Sequence, residues 1–241
     1  MPFLKGIDPK SHDENWSDGG DGVPAGWIDY LGNGKIIMVT TTKIHEIDIS
    51  GGSINSVETL YTFQTGVITV NGRGIAIEHT RIPWPGKPQG GFDGSQMYIL
   101  RSFTFFGVTG YDMISWDVQT KSQFPKQMIA FGTTIPKGLG WHGLQLFLKR
   151  FIAGGEGGTF IEQYDVQHSA AQKVKGYAFG NEDDIIDFAF QGEAFWTISG
   201  TLIRLYDCNR WSATRDSFSH GLEGASGITF DDNEIIVSYN L

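Results

Sequence analysis

The residues from Leu202 to Trp211 read LIRLYDCNRW, in which large apolar side chains alternate and lead into an aspartate followed by a small apolar residue. Three other stretches repeat this phrase: KIHEIDIS around Asp48, DMISWDVQT around Asp117 and FIEQYDVQ around Asp165. Alternation of apolar and polar residues indicates a β-strand with one buried face. The phrase therefore marks one strand of a unit that the chain repeats.

The residues around each phrase supply the rest of the unit. DIIDFAF (184–190) and FWTIS (195–199) are predicted strands that precede the phrase at Asp207, with QGEA as the turn between them. GWIDYL and IIMVT precede Asp48 in the same way, with the turn GNGK, and SVETLYTF follows as a fourth strand. The spacing agrees, because Ile36 to Asp48 and Phe195 to Asp207 are both 12 residues.

A four-stranded unit repeated every 40–50 residues or so is typical of a β-propeller. The innermost strands would be WIDYL, GIAIEH, GWHGLQ, IIDFAF and GITF, which gives an all-β fold of about five blades. Each phrase aspartate lies near the end of a third strand, where its carboxylate is expected to cap the following turn.

Two units depart from the pattern. The second carries an insertion, mostly residues 81–96, and the fifth stops early, because its aspartate would fall at position 247 of a 241-residue chain. We expect an incomplete last blade that is closed by the N-terminus or by a strand from a partner chain. The expected closing and interface residues are Phe3, Leu4, Ile235, Ile236 and Tyr239. Residues 1–25 are expected to form an N-terminal arm and residues 26–241 the propeller domain.

The composition and the motifs argue against several classes of function. The net charge is −9 and no basic patch is visible, which argues against a nucleic-acid partner. No apolar run has the length of a signal peptide or a membrane span, so no membrane association is expected. The sequence lacks catalytic motifs such as G-x-S-x-G, and its histidines and N-terminal acidic residues lack metal-ligand spacing. We therefore expect no cofactor and no metal site.

Aromatic side chains are the candidates for binding. Trp84 and Phe92 lie in the Pro- and Gly-rich insertion, and loops of this kind on a rigid scaffold often carry recognition. Trp141 and His142 lie on a predicted inner strand, near the expected central channel. Stacking of sugar rings on Trp84 and Trp141 is one hypothesis, and a loop folded back over its blade is the alternative.

Carboxylates on predicted inner strands allow a catalytic alternative. Asp29, Glu78 and Asp187 could face the channel, where an acid pair would suit glycoside hydrolysis. GIDPKSHDENW resembles the Asp-Pro element of five-bladed glycoside hydrolases, but it precedes the first predicted strand by about 17 residues instead of lying on it.

The repeats resemble the β-propeller superfamily from about residue 26 onward, and size and blade count are similar to five-bladed lectins, without their near-identical repeats. The composition is also similar to propeller proteins of bacteriophage tails and nozzles. This resemblance implies a non-enzymatic virion structural protein that binds other virion proteins or copies of itself. The alternatives are a carbohydrate-binding propeller for a host-surface glycan and, third, a glycoside hydrolase. The expected location is the virion or, failing that, the cytoplasm.

Overall fold

The computed structural model describes residues 2–19, 25–78, 96–117, 122–132, 136–142, 145–152, 158–165, 172–178, 185–208, 210–221, 223–231 and 233–240. These residues form twenty β-strands. They contain no α-helix, and hence none long and apolar enough to cross a bilayer. The all-β prediction is confirmed.

The strands pair into five four-stranded antiparallel sheets, called blades 1–5 here. Blade 1 contains β3 (Trp27–Gly32), β4 (Lys35–Val39), β5 (Lys43–Asp48) and β6 (Ser56–Thr62). Blade 2 contains β7 (Ile68–Ile77), β8 (Gln96–Phe105), β9 (Val108–Asp117) and β10 (Ser122–Gly132). Blade 3 contains β11 (Pro136–His142), β12 (Gln145–Ile152), β13 (Gly158–Asp165) and β14 (Gln172–Ala178). Blade 4 contains β15 (Ile185–Gln191), β16 (Ala194–Ser199), β17 (Leu202–Asp207) and β18 (Arg210–Ser219). Blade 5 contains β19 (Ala225–Phe230), β20 (Ile235–Asn240), β1 (Pro2–Ile7) and β2 (Glu14–Asp18).

The first strands of the blades form a closed ring. β3 contacts β7, β7 contacts β11, β11 contacts β15, β15 contacts β19, and β19 returns to β3. Their backbones approach closely: a Cβ atom on Gly227 would lie 2.6 Å from the carbonyl oxygen of Gly26. The sheets are therefore arranged around a shared axis, and the propeller prediction is confirmed.

The hydrophobic core lies between the blades. Five clusters of buried side chains are found among the described residues, and each joins two neighbouring blades. Between blades 1 and 2, for example, Val39 and Ile44 pack with Ile75, Met97 and Trp116. Each sheet thus shields the apolar face of its neighbour from water, which is the main favourable contribution to folding.

The N-terminus closes the last blade. β1 pairs antiparallel with β20, with Leu4 opposite Ser238 and Ile7 opposite Ile235. β2 then pairs with β1 as the outer strand. Of the two closures expected from the sequence, the structure has the one within the chain. Residues 2–18 thus supply two strands to blade 5, while the domain boundary at residue 26 stays a prediction.

The phrase aspartates end the third strands as expected, since β5, β9, β13 and β17 finish at Asp48, Asp117, Asp165 and Asp207. Asp48 accepts hydrogen bonds from the backbone N–H and the hydroxyl of Ser50 at 2.9 and 2.5 Å, and these bonds lower its pKa. The fifth aspartate, expected at position 247, is Asp8, which follows β1 and accepts from the backbone N–H groups of Lys10 and Ser11. The sequence does contain a signal for this aspartate, because KGID at residues 5–8 is similar to HEID at residues 45–48. The prediction missed it because the fifth unit was followed only towards the C-terminus.

Candidate functional site: the closed axis and the hairpin tip

Asp29 links three inner strands at the axis. Its carboxylate accepts hydrogen bonds from the backbone N–H of Ile77 at 2.6 Å and from the hydroxyl of Thr229 at 2.9 Å. Ile77 belongs to blade 2 and Thr229 to blade 5, so one side chain of blade 1 joins both of its neighbours. Charge-assisted bonds of this kind are stronger than neutral ones.

Asp187 joins two blades, whereas Glu78 makes a contact within one. Asp187 of blade 4 is buried and accepts from the backbone N–H of Ile228 in blade 5, at 3.3 Å. Glu78 follows β7, and its carboxylate accepts from the hydroxyl of Tyr98 on β8 of the same blade at 3.4 Å. Burial, with Glu78 nearby, raises the pKa of Tyr98, so this phenol stays protonated. All three carboxylates expected at the channel therefore bridge strands.

A small cavity lies at the axis among the residues that the structure describes. A cavity of about 30 Å³ lies among side chains of four inner strands, including Asp29, Trp141, Phe188 and Thr229. That volume holds one or two water molecules and is far too small for a sugar ring. Among the described residues, no three His, Cys, Asp or Glu side chains are grouped so that they could hold a metal ion.

The structure describes two of the four predicted binding residues, Trp141 and His142. Trp141 is 8% exposed, and its ring is stacked on that of Tyr98 with 5.4 Å between centroids. His142 is the last residue of β11, opposite Gln145. Trp84 and Phe92 lie outside the described residues. The structure therefore places Trp141 in the core between blades 2 and 3, and the binding role stays a prediction.

The predicted interface residues lie in the closure of blade 5. Leu4, Ile235, Ile236 and Tyr239 are buried there, and Phe3 pairs with Tyr239 along the backbone. The expected alternative, a partner strand at this edge of β20, is not what the structure has, because β1 occupies the edge.

An exposed apolar surface that the sequence reading missed lies at one end of blade 2. We call it the tip patch, and it consists of Val67, Ile68, Phe105, Phe106 and Val108. Phe106 is 84% exposed, Val67 77% and Val108 65%. The residues are adjacent because Ile68 pairs with Phe105 and Phe105 with Val108. A contiguous apolar patch on a projecting turn is typical of an interaction site.

The tip patch projects beyond the neighbouring blade. The backbone N–H of Gly72 bonds to the carbonyl of Thr41, which lies in the turn between β4 and β5. The four residues Ile68–Asn71 of β7 lie beyond the level of this turn. The residues that connect β6 to β7 run back beside this extension, because the backbone N–H of Val70 bonds to the carbonyl of Gln64 at 2.9 Å. The tip patch therefore lies where the β8–β9 hairpin and this connection end.

The turn at the tip holds an aromatic residue in an unfavourable backbone conformation. Phe106 has φ of 46° and is followed by Gly107 with φ of 77°, as in a two-residue type I′ hairpin turn. The turn between β3 and β4 has the same form, with φ of 55° and 72°, but uses Asn33 and Gly34. Asn suits this left-handed region and Phe does not. A strained, exposed phenylalanine suggests a use outside the folded chain.

The tip is also free of charge. Residues 59–72 and 102–111 contain no Asp, Glu, Lys or Arg, although 19% of the chain is charged. The first charges below the tip include Arg101 and Asp112, which bond to each other at 2.9 and 2.6 Å. The signal in the sequence is FTFFGVTG (103–110), in which apolar residues continue through the turn instead of stopping before it.

Comparison with known proteins supports the fold class. No family model matches the sequence, and no curated protein matches it. Among solved structures, the chain is similar to regucalcin of Agrobacterium tumefaciens, titled a calcium-binding protein, with 7% identity, a TM-score of 0.50, and coverage of 99% of this chain and 82% of that one. It is also similar to a luciferin-regenerating enzyme (11% identity, TM-score 0.46, 99% and 84% covered) and to the WD40 propeller domain of Doa1 (9%, 0.44, 91% and 77%). The fold and these matches define the class of this protein as a β-propeller.

These matches correct one expectation. Absence of a catalytic motif had suggested a protein that is not an enzyme, yet a protein named as an enzyme is among those with this fold. The expectation that the protein is not an enzyme is therefore wrong, because the propeller fold does not exclude an enzyme. Identities of 7–11% establish the architecture alone, so no activity is transferred to this chain.

Proposed function

We propose that this propeller is an assembly protein, which binds another protein subunit through the tip patch. The observation that carries the proposal is the projecting cluster of exposed apolar side chains around Phe106. Water is excluded from such a cluster only when a second surface covers it, and that gain in free energy drives association. The cavity described at the axis adds support, because its volume of about 30 Å³ is too small for a sugar ring.

The tail or surface of a virion, which the composition suggested, is a setting in which such an assembly protein would work. It remains a proposal, and none of the structural neighbours bears on it. Carbohydrate binding has less support. Sugar sites combine an exposed ring with several hydrogen-bonding groups. At the tip the hydroxyls of Thr104 and Thr109 bond to each other at 2.9 Å, and the hydroxyl of Thr69 donates to the carbonyl of Gly66 at 3.5 Å.

The test is site-specific photo-crosslinking in the cells or particles that contain the protein. A photoreactive phenylalanine analogue at position 106 is compared with the same analogue at Val174, which is 55% exposed on β14 of blade 3. A discrete protein adduct that forms from position 106 and not from position 174 supports the proposal. Equal adducts from both positions, or no protein adduct from position 106, contradict it.

A further inference from the structure

We infer that the surface which covers the tip patch is the tip patch of a second copy of this chain, in a two-fold symmetric dimer. This inference rests on the proposed function and names its partner. In such an isologous contact, the same patch on each copy covers that of the other. Two properties of the tip support a second copy: its charge and its area.

Charge restricts where two copies can meet. Each chain has a net charge of −9, so two copies repel each other over most orientations. The tip is the exception, because residues 59–72 and 102–111 contain no charged side chain. Contact there places no carboxylate against another. The acidic bodies of the two copies are held apart by the length of the two hairpins.

Area predicts the strength of the contact. Five partly exposed Val, Ile and Phe side chains present on the order of 500 Å², so a dimer would bury on the order of 1,000 Å² in total. This is the lower end of specific interfaces, which predicts a weak dimer whose population depends on concentration. A lipid surface fits less well, since segments that bind membranes usually combine apolar residues with Lys or Arg, which the tip lacks.

The experiment is sedimentation equilibrium of the purified chain over a wide range of concentration, with three variants. The wild type is expected to form a dimer as concentration rises. Phe106→Asn and Val108→Ser should raise the dissociation constant about tenfold or more, as for residues at the centre of an interface. Val174→Ser is the matched control, because it changes an exposed valine on another blade and should leave the constant unchanged.

The variant Phe106→Asn also distinguishes an effect on dimer formation from an effect on folding. The turn favours asparagine, so Phe106→Asn should keep or raise the melting temperature while it weakens the dimer. A variant that stays dimeric, or a control Val174→Ser that dissociates equally, overturns the inference. A wild type that is monomeric at every concentration does the same.

Two further outcomes separate this inference from the proposed function. If the wild type is monomeric and position 106 crosslinks to a different protein, the partner is not a second copy and the proposed function stands. If the monomer instead floats with phosphatidylcholine vesicles and Phe106→Asn does not, the tip binds lipid, and the dimer and the protein partner are both wrong.

Discussion

Phe106 is the residue at which folding and the proposed role oppose each other. Its φ of 46° lies in the left-handed region, whereas the equivalent turn of blade 1 places Asn33 there. We expect Phe106→Asn to raise the free energy of unfolding by about 1 kcal/mol, because the left-handed conformation costs an ordinary residue roughly that much. Urea denaturation measures it. A fall in stability would mean that the contact between the Phe105 and Phe106 rings, at 4.3 Å, outweighs the strain.

Two buried histidines predict how stability depends on pH. Burial lowers the pKa of His45 and of His220 below the ordinary value of 6.5. The unfolded chain therefore takes up protons at a higher pH than the folded one does. Their stabilising contribution is complete above pH 6.5 and is lost as the pH falls from 6.5 towards the lower pKa of the folded state.

We expect the free energy of unfolding to fall as the pH is lowered below about 6.5, measured by chemical denaturation at each pH. His45→Gln should make this dependence shallower, because a glutamine keeps a polar group beside Thr59, the hydrogen-bond partner of His45, without titrating. The double variant with His220→Gln should be shallower still. A slope unchanged by both substitutions would show that other groups cause it.

Among the elements, the β1–β2 hairpin is the one on which the ring depends. Leu4 and Ile7 are buried on β1, and the indole N–H of Trp16 donates to Glu234 of blade 5 at 2.5 Å. His12, between the strands, stacks on Phe218 of blade 4 and bonds to Asp216 at 2.9 Å. The hairpin therefore fastens blade 5 and reaches the adjoining blade.

A chain without residues 2–18 is expected to lose cooperative unfolding and to aggregate, because the apolar strand β20 becomes an open edge. A synthetic peptide of residues 1–19 added in trans should restore cooperative thermal unfolding. The control peptide carries Leu4→Asp and Ile7→Asp and should not restore it. Full cooperativity of the truncated chain without peptide would contradict the closure.

The elements also show what the sequence could and could not predict. Alternating residues and the aspartate phrase located the third strands, because both depend on local chemistry. The closure was left between two alternatives, since pairing of Leu4 with Ser238 joins positions 234 residues apart and leaves no local trace. The bridging role of Asp29 was not predicted for the same reason: its hydrogen-bond partners, Ile77 and Thr229, lie on other blades. The tip was missed because the sequence does not show whether apolar residues in a turn are covered by other parts of the fold.

For the whole molecule, ring closure without a covalent link limits stability. Pro2 lies opposite Asn240 in the paired strands, so a linker of about four residues can join the chain ends. We expect backbone cyclisation through such a linker to raise the free energy of unfolding by about 2–4 kcal/mol, because it lowers the entropy of the unfolded chain. Guanidinium unfolding measures it, and the unligated chain with the same linker is the control. Equal midpoints would contradict the reasoning.

The origin of blade 5 in two distant segments has a consequence during synthesis on the ribosome. β1 leaves the ribosome long before its partner β20, because the paired residues Leu4 and Ser238 are 234 positions apart. At roughly 5–20 residues per second, translation separates the two by tens of seconds. For that interval the nascent chain keeps Leu4 and Ile7 without their native neighbours. Chains made side by side on one messenger RNA could then exchange these strands, so the yield of correctly closed monomers should depend on how densely ribosomes are loaded.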